Sequence, residues 1–242
     1  MKKTVFFVLL CTLMLSACKV SFGDGRRIAP DGKIVKKEYR QPAFEEVDVD
    51  VVANVKFIQG KDEDYRVVLS APENYVDLFR FEVKDRELDV KFKKSVNIEA
   101  ANVDITVYAP ILRKLENEGV ANVEIDRLTA DELDVENSGV GSMFLSGLVV
   151  GRLDAECSGV GSMELKGEAE RADLKCSGVG SIKAEKLTAK SVKAIVSGVG
   201  GINCYATESI KGDVSGVGSL KYGGNPQEKN LSRSGVGGIS EL

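Results

Sequence analysis

The chain has 242 residues, 43% of them hydrophobic, which is enough for one sizeable core and too apolar for disorder. Lys and Arg total 33 against 37 Asp and Glu, giving a net charge of -4, so there is no basic field of the kind that attracts a nucleic-acid backbone. With no His in the chain, the Ser-His-acid and Cys-His catalytic arrangements and the usual zinc sites are excluded.

The first segment has the three-part plan of an export signal: Lys2 and Lys3, an apolar run from Val5 to Leu15, then Ser16 and Ala17 before Cys18. That run is short for a bilayer span. Leu15-Ser16-Ala17-Cys18 resembles the bacterial lipobox, which implies cleavage before Cys18 and acylation of its sulfur and new amino group. Residues 1–17 are therefore expected to be a lipoprotein signal peptide and Cys18 the lipidation site. Several acyl chains at roughly 0.8 kcal/mol per CH₂ would hold the protein on a membrane. Residues 18–38, Gly- and charge-containing with little periodicity, read as a tether. The expected location is the cell envelope, with the outer membrane favoured over the inner.

From residue 39 to 115 short alternating runs recur: Glu46 to Val51, Tyr65 to Leu69, Phe81 to Val83, Leu88 to Phe92 and Val103 to Val107. With Gly60-Lys61-Asp62 and Lys84-Asp85-Arg86 as turns, they predict an antiparallel β-rich region that caps the C-terminal half of the chain. Asn74 to Phe79 is predicted as a short helix or turn.

Residues 116–242 repeat. Ser-Gly-Val-Gly starts at Ser138, Ser158, Ser177, Ser197, Ser215 and Ser234, with a degenerate copy from Glu118 to Ala121, and the first glycines lie 20, 20, 19, 20, 18 and 19 residues apart. Period-two alternation around each copy is a strand signature. A unit this short cannot bury its apolar face alone, so neighbours must stack as coils. The predicted fold is all-β: a parallel β-helix or solenoid of 18- to 20-residue coils, right-handed by the crossover rule, preceded by the antiparallel region. Val140, Val160, Val179, Val199, Val217 and Val236 are expected to form one inward ladder, and Met143, Met163, Ile182, Ile202, Leu220 and Ile239 another. The glycines beside each valine are expected where a bend or close coil approach excludes a Cβ.

Cys157 and Cys176 fall one coil apart. Their spacing permits a disulfide; two small buried side chains in a ladder with Val196 and Val214 is the other reading. Cys204 reads as packing.

Phe44-Glu45-Glu46-Val47, Gln59-Gly60, Val107-Tyr108-Ala109-Pro110 and the serial Ser-Gly-Val-Gly coils together resemble the bacterial family "putative auto-transporter adhesin, head GIN domain", from about Tyr39 to near the C-terminus. The resemblance implies the solenoid fold and adhesion, and implies no catalytic or binding residues.

Candidate chemistry is sparse. The regularly placed serines read as a structural ladder, and Gly-x-Gly leading into a strand gives no phosphate cradle. Asp48, Asp50, Asp62, Glu63 and Asp64 could offer oxygens to a hard cation, but a solvated strand face or turn explains them, so neither metal nor cofactor is expected. Stacked carboxylates such as Glu136 and Glu156 are diluted by Lys175 and Lys193. Three functions remain. The first is a non-enzymatic envelope-anchored adhesin or glycan- or protein-binding module. The second is an envelope structural or sensory component that self-associates end to end through an uncapped last coil or binds other envelope proteins. The third is a polysaccharide-active enzyme.

Overall fold

The computed structural model describes residues 27–242 apart from 95 and 100. Among these residues the chain folds as strands, with a 3-10 turn at Glu73–Leu78 where a short helix or turn was expected. The N-terminal strands are β1 (Ile34–Arg40), β2 (Glu46–Asp50), β3 (Val52–Gln59), β4 (Arg66–Pro72), β5 (Phe79–Lys84), β6 (Glu87–Phe92) and β7 (Asp104–Ala109). Then come β8 (Lys114–Asn117), β9 (Val120–Ile125), β10 (Leu128–Asn137), β11 (Val140–Cys157), β12 (Val160–Cys176), β13 (Val179–Val196) and β14 (Val199–Val214). The last are β15 (Val217–Gly223), β16 (Glu228–Arg233) and β17 (Gly238–Glu241).

Each full coil carries three pairing segments. β11 meets β12 in parallel over Val140–Leu145, Leu148–Val150 and Arg152–Cys157, with a register slip at the first corner. The solenoid therefore has three faces. The second is narrow, because only two to four residues per coil pair there. Inward residues alternate along all three: Met143 and Leu145, Leu148 and Val150, then Leu153, Ala155 and Cys157, each at most 5% exposed. In-register stacking lines these positions up coil after coil, so burial that one 20-residue unit cannot supply alone comes from its neighbours.

The antiparallel N-terminal part is present, with β1 on β4, β4 on β7 and β5 on β6. It is joined to the solenoid by parallel pairing. β2 lies between β6 and β8, and β3 between β7 and β9, so the stack begins at Glu46, well before the repeat is visible in sequence. Phe44, Tyr75 and Leu112 fill this end of the core and are fully buried.

One expectation fails. The Ser-Gly-Val-Gly valines point outward: Val140, Val160, Val179, Val199 and Val217 are 48–55% exposed and Val236 is 76% exposed. Strand alternation continues through the turn, so with Cys157 and Met163 inside, Val160 has the opposite parity and faces solvent. The second ladder is inward as expected, fully buried from Met143 to Leu220, with Ile239 partly covered on the last coil. The glycines are explained by close approach. A Cβ on Gly161 would stand 1.7 Å from the carbonyl oxygen of Gly141 one coil earlier, and one on Gly159 2.1 Å from that of Gly139.

Cys157, Cys176 and Cys204 are buried free thiols, so the packing reading holds. In the Cys157 column the two preceding coils carry asparagines, Asn117 and Asn137, both fully buried, and Val49 comes before them.

Candidate ligand-contact face

Cys18 lies outside the described residues. The described surface offers one extended candidate, the third face, where outward side chains of successive coils stand in columns. Reading along the axis, one column runs Lys114, Asp134, Asp154, Asp173, Lys193, Lys211, Asn230. Beside it runs Glu116, Glu136, Glu156, Lys175, Ile195, Asp213, Ser232. The face is acidic over its first coils and basic from Lys175 onward.

Two shallow open grooves lie end to end on it. The first, about 410 Å³, extends from Lys114 to Lys193 and includes Arg152, Glu156 and Lys175. The second, about 350 Å³, shares Asp173 and Lys193 and continues to Asn230. Parallel in-register pairing positions this trough: each strand sets one row of side chains across it, and the backbone beneath is fixed by the ladder.

The charges partly answer one another within the face. Arg152 reaches Asp154 at 2.9 Å and Asp173 at 3.4 Å across the coil boundary. Lys175 meets Glu156 at 2.8 Å, and Lys114 meets Glu116 at 2.7 Å. Partial burial, then the neighbouring Asp154 carboxylate, raises the Asp173 pKa above the ordinary value. Lys193 and Lys211 make no ion pair among the described residues, so the basic end has free donors for an incoming acceptor.

At the other end, β2 and β6 bring Asp48, Glu87 and Asp89 within 4.8 Å of one another. The sequence alone groups Asp48 with Asp50, Asp62, Glu63 and Asp64. Asp64 instead pairs Arg66 at 2.7 Å in the turn before β4. The ammonium of Lys91 stands between Asp48 and Asp89, at 2.8 and 2.9 Å, and is the cation of the cluster. Burial outweighs that ammonium and raises the Asp48 pKa, and its Oδ1 is buried without a partner. Burial, then the Asp48 charge, raises the Glu87 pKa as well.

Three of the six turn serines bond the preceding coil through their hydroxyls, and all six do so through their backbone N–H groups. Ser158 and Ser177 donate to Glu136 and Glu156 at 3.4 and 3.2 Å, and Ser138 donates to the carbonyl of Asn117 at 3.3 Å. This is the structural ladder the sequence suggested. The columns of Glu136, Glu156, Lys175 and Lys193 are legible in the repeat, and the structure adds that they line a groove; the Asp48 cluster is not legible, because it joins strands outside the repeat.

The family model "Putative auto-transporter adhesin, head GIN domain" matches residues 43–226. A crystal structure titled a putative adhesin, from Bacteroides fragilis, is 38% identical and superposes with a TM-score of 0.86, covering 89% of this chain and 100% of its own. A second putative adhesin, from Parabacteroides merdae, is 22% identical with a TM-score of 0.68, covering 89% and 99%. A protein titled putative lipid binding protein, from Parabacteroides distasonis, is 20% identical with a TM-score of 0.74, covering 90% and 100%. The last two show the fold alone. No curated protein matches the chain.

Proposed function

Because the chain belongs to the putative auto-transporter adhesin, head GIN domain family, we propose that it is a non-enzymatic adhesin of the cell envelope, held to a membrane through acylated Cys18. In this reading the third face of the solenoid contacts a surface polymer, a glycan or an extended polypeptide. The observation that carries it is the pair of adjoining open grooves that span Lys114 to Asn230 and share Asp173 and Lys193, where coil after coil presents donors and acceptors at a fixed spacing.

A long shallow groove suits a chain-like ligand better than a compact metabolite, for which enclosure of most of the ligand surface is the rule. Arg152 and the unpaired Lys193 and Lys211 supply donors, and Asp134, Asp154 and Glu156 supply acceptors; hydroxyl-rich or peptide ligands use both. Family membership supports a cell-envelope or surface location. No helix among the described residues is long and apolar enough to cross a membrane; the lipid anchor of this reading rests on Leu15-Ser16-Ala17-Cys18.

The test is adhesion of washed cells to matrix and glycan panels, comparing the parent, a gene deletion and a strain carrying Lys175→Glu, Lys193→Glu and Lys211→Glu. Binding lost in the deletion and reduced at least about tenfold in the triple variant supports the reading. Deletion cells that adhere as well as the parent sink it. Cys18→Ala should move the protein out of the membrane fraction and remove incorporation of labelled palmitate.

A further inference from the structure

The outward valines form the most uniform column on the molecule. Val120, Val140, Val160, Val179, Val199 and Val217 stand in register, Val236 continues the series on the last coil, and all are 48–76% exposed. Other outward columns change from coil to coil. Four residues on from the valines the series runs Glu124, Phe144, Glu164, Lys183, Asn203, Lys221, Ser240, with no common chemistry. A solvent-facing position has no core to fill, and threonine would serve the strand equally well. Yet each copy keeps the apolar residue.

The band around the column is equally uniform. The five-residue stretches starting at Ser138, Ser158, Ser177, Ser197, Ser215 and Ser234 contain Ser, Gly and Val alone, in a chain in which 29% of residues are charged. The glycines leave the valine as the projecting side chain between two low flanks. The result is a straight apolar ridge on a neutral ribbon.

From this geometry we propose that the ribbon is a self-association surface on which a second copy of this chain docks side by side, the two ridges running antiparallel about a two-fold axis near Val179. Three observations select that occupant. A partner that engages every rung must itself repeat at the coil pitch, and this chain does. A neutral ribbon lets two copies approach without the like-charge repulsion that the net charge of -4 would impose elsewhere, and it offers no cations to lipid headgroups. Half-exposed valines leave roughly 80 Å² each, so a pair of ribbons with their flanks buries about 1,100 Å², above the roughly 1,000 Å² that a specific interface needs. A two-fold axis makes the contact isologous and closed, so it yields a dimer rather than a fibre. The inference stands apart from the adhesive reading, since it uses the corner opposite in parity to the core and none of the groove residues.

Sedimentation velocity of the purified full chain over the micromolar range tests it, with Val160→Lys/Val179→Lys/Val199→Lys alongside and thermal unfolding as the check on folding. The expected result is a dimer for the parent and a dissociation constant at least about a hundredfold weaker for the variant, which still unfolds in one cooperative transition, with the parent's melting temperature rising with concentration more than the variant's. The milder set Val160→Thr/Val179→Thr/Val199→Thr, which keeps the β-branched shape, should weaken the dimer in the same direction. Val179→Cys, on the two-fold axis, should cross-link to itself under mild oxidation, a bond that Cys157, Cys176 and Cys204 cannot make because they are buried. A parent that is monomeric throughout the range overturns the proposal. So does a dimer whose dissociation constant the lysines leave unchanged, which would move association to other surfaces such as β16 and β17. Capture of a monomeric parent by neutral phospholipid vesicles, lost in the lysine variant, would overturn it in favour of a lipid occupant.

Discussion

Asn117 donates through Nδ2 to Oδ1 of Asn137 one coil later, at 2.9 Å, and both side chains are fully buried. Asn137 in turn donates to the carbonyl of Gly141 at 3.1 Å. The next two coils place Cys157 and Cys176 in the same column, with their thiols 3.7 and 3.4 Å from the carbonyls of Gly161 and Gly180. The column thus supplies a donor to the turn carbonyl four residues ahead, in amide form first and thiol form later.

Asn137→Ala removes that donor, leaves a cavity and takes the shorter of two acceptors from Asn117 Nδ2, which keeps the Ala121 carbonyl at 3.4 Å, so it should destabilise the fold by about 2–4 kcal/mol. Asn137→Cys, which copies the solution used one coil on, should cost less. Urea unfolding of the two variants against the parent checks the order.

Gly161→Ala places a methyl 1.7 Å from the Gly141 carbonyl oxygen, a clash with backbone that no rotamer relieves. We expect a loss of at least about 3 kcal/mol, or no folded protein. Val160→Thr, next door and facing solvent, should stay within about 0.5 kcal/mol of the parent. Thermal unfolding of both separates the demand of coil stacking from that of the exposed ridge.

Acid should strengthen the fold before it weakens it. Burial raises the Asp48 and Glu87 pKa values, and the Asp48 charge raises that of Glu118, so in the folded state these groups bind protons at a higher pH than in the unfolded chain. Stability therefore rises as pH falls through their folded pKa values, and it is lost as pH climbs back past them. Asp48→Asn should flatten this rise while leaving Lys91 paired with Asp89. Melting temperatures from pH 4 to 7, taken with parent and variant in parallel, would show it; a parent curve that only falls on acidification would count against the assignment.

The three described thiols should be inert in the folded state. Burial, helped by Cys176, pushes Cys157 up to about 11, and burial alone pushes Cys204 up to about 12, so thiolate is scarce at neutral pH even where a reagent could reach. Peptide mapping after maleimide treatment should find them modified only under denaturing conditions, at a rate set by unfolding.

The repeat, its period, the strand alternation and the Met143 ladder were all legible in sequence, because stacking is a nearest-neighbour problem that each coil solves in the same way. At Val160 two sequence signals oppose each other: its apolar type points to the core, whereas Cys157 and Met163, six residues apart and both inward, place it outside by parity, and parity wins. The N-terminal half hid more. That Asp48 neighbours both Asp89 and Glu116 results from parallel pairing of β2 with β6 and β8, strands far apart in sequence and unmarked by any repeat. Burial of Asn117 and Asn137 is not legible for a related reason: besides the turn carbonyls four residues ahead, the two amides need each other, and only stacking brings them together.

The register slips of the long strands fall between Leu145 and Leu148, between Glu164 and Lys166, between Ala184 and Thr188, and between Ala189 and Ser191, all around the narrow second face. The valine turn and the third face stay in step throughout. Coils of 18, 19 and 20 residues absorb their difference at the second face, where inward Leu148 is met by Gly167 on the next coil, and leave the inward columns of the third face aligned. For a lineage carrying this gene, small insertions and deletions have a harbour there, and duplication of an entire coil lengthens the molecule without a new core having to be found. The protein's reach is thus a quantity that heredity can adjust in whole steps.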